Sequence, residues 1–142
     1  MYKKILMAVD LAEADIARLI LDTACAMPLD DDGEIHALTV VPTYGMAIVG
    51  SYFSEDFESK AIEAAQARLS AFLAENTPDG AIIKGHVAHG TIYDEIMRVA
   101  NDLGCDLIIM ASHRPELKDY LLGPNAARVV RHSKCSVMVV RE

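Results

Sequence analysis

Apolar positions along the chain fall into two rhythms. Ile5 to Val9 is a nearly unbroken apolar run bounded by Lys4 and Asp10, the pattern of a strand buried on both faces, as in a parallel sheet. Ile16, Leu19, Ile20, Thr23, Ala24 and Met27 then fall on one helical face, and Pro28 ends that helix. Asp30-Asp31-Asp32-Gly33 reads as a polar, solvated turn; a calcium loop needs more regularly spaced ligands and a closing Glu. Ile35 to Val41 reads as the second strand, stopped by Pro42. Residues 42–54 hold Gly, Ser and Tyr without periodicity, so they read as a long connection of the kind that is often functional or mobile.

Ser54 is suited to cap the next helix, with Glu55 and Asp56 in its first turn. This helix runs to about Asn76, with Phe57, Ala61, Ala64, Ala65, Leu69, Phe72 and Leu73 as its inward candidates. After the turn Thr77-Pro78-Asp79-Gly80, residues Ala81 to Ala88 form a third strand. Lys84, Gly85 and His86 interrupt it, which suits an edge position. His89-Gly90 turns the chain, and Thr91 with Asp94 matches a helix-start capping pattern. Ile92, Ile96, Val99, Ala100 and Leu103 make the stripe of a third helix, ended by Gly104. Asp106 to Ala111 is the strongest strand signal; a loop to Gly123, a short helix over about 124–132 and a strand from Ser136 to Val140 follow.

Strict β-α alternation with buried-type strands predicts one α/β domain over residues 1–142, a parallel sheet with helices on both faces. The length suffices for a core without disulfides or metals. With 52% apolar and 24% charged residues the chain is of globular composition. A formal charge of −8 argues against general nucleic-acid binding and against docking on anionic lipid, since both depend on Lys and Arg. Cys25, Cys105 and Cys135 are widely spaced and odd in number, so they read as free thiols and not as a disulfide framework or zinc site. The N-terminal apolar stretch lacks the length and cleavage site of a secretory signal, and no run approaches a membrane span. The expectation is a cytoplasmic protein that engages neither nucleic acid nor membrane.

In open parallel sheets, ligands bind beyond the carboxyl ends of strands, where the strand order reverses. Asp10 follows strand 1, and Ser112-His113-Arg114-Pro115 follows strand 4. Residues 113–134 carry five basic side chains (Arg114, Lys118, Arg128, Arg131, Lys134) against Glu116 and Asp119, a local excess of positive charge in an acidic chain. Gly123 before a helix start adds unpaired backbone N–H groups and the positive end of a helix dipole, a ready anion site. His36, His86, His89 and His132 read as structural or exposed.

The opening Met1-Tyr2-Lys3-Lys4-Ile5-Leu6 with Asp10, the segment Ala111-Ser112-His113-Arg114-Pro115, and the tail from Leu121-Leu122-Gly123-Pro124-Asn125-Ala126 to Val140 together resemble the universal stress protein family. The likeness covers the whole chain in order and length, and is similar to the bacterial F and G types of that family. It implies a Rossmann-like sheet of the adenine nucleotide alpha hydrolase type, five parallel strands in the order 3-2-1-4-5. It also implies a regulatory protein that binds ATP, with Mg as an accompanying ion, or AMP. Ala8, Asp10, Val40, Ala111, Ser112, His113, Arg114, Gly123, Asn125 and Ala126 would surround the nucleotide. Asp10 and the Val40 backbone would meet adenine or ribose, Ala111 and Ser112 would run along the ribose, and His113, Arg114, Gly123, Asn125 and Ala126 would surround the phosphates.

ATP-binding members share two glycines three apart, nine intervening residues, then Gly-Ser or Gly-Thr. Here Ala111 and Arg114 stand at the first two glycines, eight residues separate Arg114 from Gly123, and Pro124 replaces the hydroxyl residue. Pro124 suits a first helical position and leaves the N–H groups of Asn125 and Ala126. The family resemblance further implies a homodimer through Val137–Val140, or a tetramer. Two other readings stay open: a nucleotide-free interaction protein of the same fold, and a slow ATPase or nucleotidyl transferase using His113 and Arg114. No Walker lysine motif, nucleophile elbow or catalytic carboxylate pair is present, so the chain reads as a non-enzyme with no catalytic residues.

Overall fold

In the computed structural model, which describes residues 1–43, 46–112 and 123–141, five strands alternate with four helices. They are β1 (Tyr2–Ala8), α1 (Ala14–Ala26), β2 (Leu29–Pro42), α2 (Met46–Asn76), β3 (Ile83–Gly90), α3 (Ile92–Leu103), β4 (Leu107–Ala111), α4 (Pro124–His132) and β5 (Ser136–Val140). All pairings are parallel, and the order is β3-β2-β1-β4-β5. The expected architecture is therefore observed, with the weakly patterned third strand at an edge.

Alternate residues of each strand feed two core layers. Ile5, Met7, Ile35, Ala37 and Ile109 pack with Ile16, Ile20 and Leu21 of α1 and Leu69 of α2. Leu6, Leu38, Ile108 and Met110 pack with Ile96 and Val99 of α3 and Val129 of α4. Burial on both faces is why the central strands read as unbroken apolar runs instead of alternating ones. The ends of the layers are clamped by Asp106, whose carboxylate accepts the backbone N–H groups of Lys3 at 2.9 Å and Lys4 at 3.0 Å.

Several boundaries differ from the sequence reading. The 30–33 acidic segment lies within β2. The register steps from Tyr2↔Leu29 to Lys4↔Glu34, so these residues bulge out of the ladder with Asp31 and Asp32 exposed; a bulge tolerates what a regular strand would not. The connection expected over 42–54 is much shorter, because α2 begins at Met46, and Ser54 falls inside that helix instead of capping it. Of the inward candidates on α2, Leu69 is buried and Phe72 and Leu73 pack beside it, whereas Phe57 and Ala64 are exposed. On α1, Leu19 is exposed and Ala17 and Leu21 are buried in addition to the expected Ile16, Ile20 and Ala24. β3 runs two residues further than expected and takes in His89 and Gly90. Thr91 is the N-cap residue of α3 but makes no side-chain capping bond. Gly104 ends α3 in the left-handed region, φ +74°, as its position predicts.

Candidate functional site

The connections from β1 through α1 to β2 and from β3 through α3 to β4 run to opposite sides of the β1–β4 pair. The loops at the carboxyl ends of these two strands therefore part and leave a crevice. A cleft of about 380 Å³ lies there, within the range of small-molecule sites. Its base is apolar, built from Ile16 and Ile20 of α1, Leu38 of β2, Ile92 and Ile96 of α3 and Met110 of β4. Its polar groups come from Asp10, Glu13, Thr39 and Asn125.

Five of the residues singled out from the sequence converge on this cleft: Ala8, Asp10, Val40, Ala111 and Asn125. The ends of β1 and β4 thus meet the first turn of α4. Val9, Glu13, Thr39, Pro42 and Ile92 also line it and were not anticipated. Thr39, a polar residue inside an apolar strand and 8% exposed, was the available signal.

Asp10 has a structural task as well. Its Oδ1 accepts the N–H of Ala12 at 3.0 Å and its carbonyl accepts that of Glu13 at 3.0 Å, an Asx-type turn that swings the chain from β1 into α1.

Ser112 and Gly123 do not line the cleft; they are bonded to each other. The Gly123 N–H donates to Ser112 Oγ at 2.7 Å, and the Ser112 N–H donates to the Val140 carbonyl at 3.1 Å. This pins the start of α4 to the end of β4, and it occupies the Gly123 N–H that was expected to face phosphate. Ala126 is buried in the core behind the first turn, 1% exposed. His113 and Arg114 lie outside the described residues.

The amino end of α4 has no side-chain cap, and Pro124 stands in its first turn. The first intrahelical bond is Ala127 N–H to the Gly123 carbonyl, 2.9 Å. Pro124 has no N–H, so Asn125 and Ala126 hold the unpaired donors of this turn. Of the basic residues expected to enrich this region, Arg128 is turned away. It donates to Tyr93 Oη at 3.1 Å and lies 4.6 Å from the centre of that ring.

The three cysteines are free and half-buried. Burial, with Cys135 nearby, pushes the Cys105 thiol up to about 11, so it is unreactive at neutral pH. Among the described residues no group of three His, Cys, Asp or Glu side chains is arranged to hold a metal, and no helix is long and apolar enough to cross a membrane.

Sheet order and cleft together define an α/β protein of the doubly wound class, with a ligand-sized crevice at the point where its winding reverses. The family model described as "Universal stress protein family" matches residues 1–141. The chain belongs to that family. It is 37% identical to universal stress protein G of Shigella flexneri over 99% of this chain and 100% of that protein. The solved structure of MJ0577, a universal stress protein of Methanocaldococcus jannaschii, superposes with a TM-score of 0.83 at 30% identity, over 100% of this chain and 97% of the other. More distant in sequence, at 19% identity and TM-score 0.62, is the Archaeoglobus fulgidus universal stress protein solved in complex with dAMP, matched over 97% of each chain. This last likeness speaks to the fold.

Proposed function

We propose that the cleft binds an adenine nucleotide, ATP or AMP, and that the protein is a cytoplasmic stress-response regulator whose state is set by that occupancy, without catalysis of its own. The observation that carries this reading is an apolar cleft at the strand-order reversal, opening onto a helix start with no cap. An apolar slot suits a purine ring, and unpaired N–H groups at the positive end of a helix suit phosphate. That a distant relative was solved with dAMP supports the same choice.

Ala8, Asp10, Val40 and Ala111 would surround base and ribose, with Ser112 behind them, and the N–H groups of Asn125 and Ala126 would meet phosphate. His113, Arg114 and the Gly123 backbone would complete the phosphate end. A Mg ion would accompany the triphosphate. β5 is an edge strand with half-buried Val137, Met138, Val139 and Val140, and we infer that two copies pair along it as a homodimer, the unit from which a tetramer would build.

One observation favours the nucleotide-free reading: the Gly123 N–H is already taken by Ser112, and Pro124 supplies none. Asn125→Asp separates the two. Asn125 is the second residue of α4, where a carboxylate stabilises the helix dipole but repels phosphate. Calorimetric titration should show ATP and AMP binding to the native protein. Affinity should fall at least about tenfold in the variant, equivalent to ~1.4 kcal/mol, with no fall in melting temperature. Absence of binding by the native protein at millimolar nucleotide, or equal affinity in the variant, overturns the proposal.

A further inference from the structure

His36 is a polar residue buried in the middle of β2, only 3% exposed. Its Nδ1 lies 2.8 Å from Nε2 of His86 on β3, and its Nε2 lies 2.9 Å from Oε2 of Glu34. Oε1 of Glu34 in turn accepts from Nζ of Lys84 at 3.0 Å. The two rings are 5.0 Å apart and tilted by 32°. Four side chains thus form one continuous chain between β2 and the edge strand β3, none of them lining the cleft.

The donor and acceptor sense of this chain is fixed by its carboxylate end. Hydrogen bonds from His36 and then Lys84 hold the Glu34 carboxyl down to about 2, so it only accepts. His36 Nε2 therefore carries a hydrogen. With one hydrogen per ring, His36 Nδ1 is an acceptor, and His86 Nε2 must donate to it. An added proton goes to His86 Nδ1 and places a full imidazolium charge in this half-buried site, with its ring 5.0 Å from that of His36 and Lys84 nearby. Moving β3 off the sheet returns that charge to water, which strains the bridge whenever His86 is charged.

We propose that the Glu34–His36–His86 chain is an acid-sensitive latch that fastens edge strand β3 to the sheet. The groups around it do not relieve the His86 charge. From β3 comes Lys84, and from β1 comes Lys4, whose Nζ is held by the Leu103 carbonyl at 3.0 Å. From the α3–β4 turn comes the neutral thiol of Cys105. The helix packed on this face, α3, contributes apolar Val99 and Leu103, while its exposed Arg98 is paired with Glu95 and Asp102. On the α2 side of the sheet, His89 lies 3.3 Å from Glu58. Among the described residues facing it, Glu34 offers the compensating negative charge, and it is already shared with Lys84.

Burial, the neighbouring His36 and Lys84 lower the His86 value from its usual range. A detached β3 restores the ordinary value of about 6.5. The detached state therefore binds more protons, so the latch is closed above about pH 6.5 and loosens as pH falls through the lowered value. Because α3 starts directly after β3, and Ile92 and Ile96 of α3 line the cleft, loosening begins beside the site.

Hydrogen exchange of the β3 peptide, corrected for intrinsic rates, tests this between about pH 7.5 and 5. In the native protein the opening constant of β3 should rise relative to β1 and β4, approaching about tenfold per pH unit for each proton taken up. In His86→Gln, whose amide N–H still reaches His36 but cannot take up a proton, it should stay flat. A flat native profile, or the same rise in His86→Gln, overturns the proposal. Should that variant fold poorly, ¹⁵N imidazole spectra of the native protein decide. A His86 titration displaced below the ordinary imidazole range, with the His36 hydrogen on Nε2 at neutral pH, supports the latch. An ordinary His86 titration or the opposite tautomer refutes it.

Discussion

Asp106 joins chain segments about a hundred residues apart through two charge-assisted bonds, to Lys3 N–H at 2.9 Å and Lys4 N–H at 3.0 Å. Replacing it with Ala removes both acceptors. A hydrogen bond to a charged group contributes about 1.5–3 kcal/mol when shielded. Asp106 is only partly buried, so water competes and the pair should be discounted by about half. The expected cost of Asp106→Ala is therefore about 1.5–3 kcal/mol, which for a domain of this size lowers the melting temperature by about 5–10 °C. Asp106→Asn should be intermediate, since it keeps one acceptor oxygen but sets an NH₂ against the second N–H.

The pH dependence follows from the same bonds. Desolvation works to raise the Asp106 carboxyl, but the N–H groups of Lys3, Lys4 and Asp106 itself outweigh it, and the net shift is downward. The unfolded chain, with an ordinary value of about 3.9, takes its proton first. The stabilisation is thus complete well above pH 4 and lost as pH falls through the lowered folded value. Urea denaturation of native protein and Asp106→Ala at about pH 7 and pH 3 should show a gap that narrows in acid. A gap under about 0.5 kcal/mol at neutral pH, or one that does not narrow, would refute the clamp.

Two further changes probe single backbone features. Ser112→Ala removes the acceptor of the buried Gly123 N–H and should cost about 1–2 kcal/mol by denaturant titration; Ser112→Thr, which keeps the hydroxyl, should cost less. Gly104→Ala should cost about 1 kcal/mol through its left-handed backbone alone, because a Cβ there meets nothing within 4 Å. Gly104→Asn should recover part of that loss, and equal stability of Ala and native proteins would contradict the capping role.

The apolar rhythm sufficed for every element and for the parallel, two-faced sheet, because burial on both sides leaves continuous apolar runs such as Ile5–Val9 and Leu107–Ala111. It also carried the punctuation by Pro28 and Gly104, whose effects are local to the backbone. The family's motifs, legible in the opening, in Ala111–Pro115 and in the tail after Leu121, anticipated the strand order, and five of the residues they singled out line the cleft. The start of α2 at Met46 was not legible, since 42–54 has no amphipathic period and its helix is set by the longer segment it continues into. Nor could spacing along the chain reveal that Ser112 would consume the Gly123 N–H. Likewise it did not show that Glu34, His36, Lys84 and His86 would form one chain across two strands. Periodicity reports how each segment meets the core. Which polar groups meet one another is decided by register and loop closure, and those exist only once the sheet has assembled.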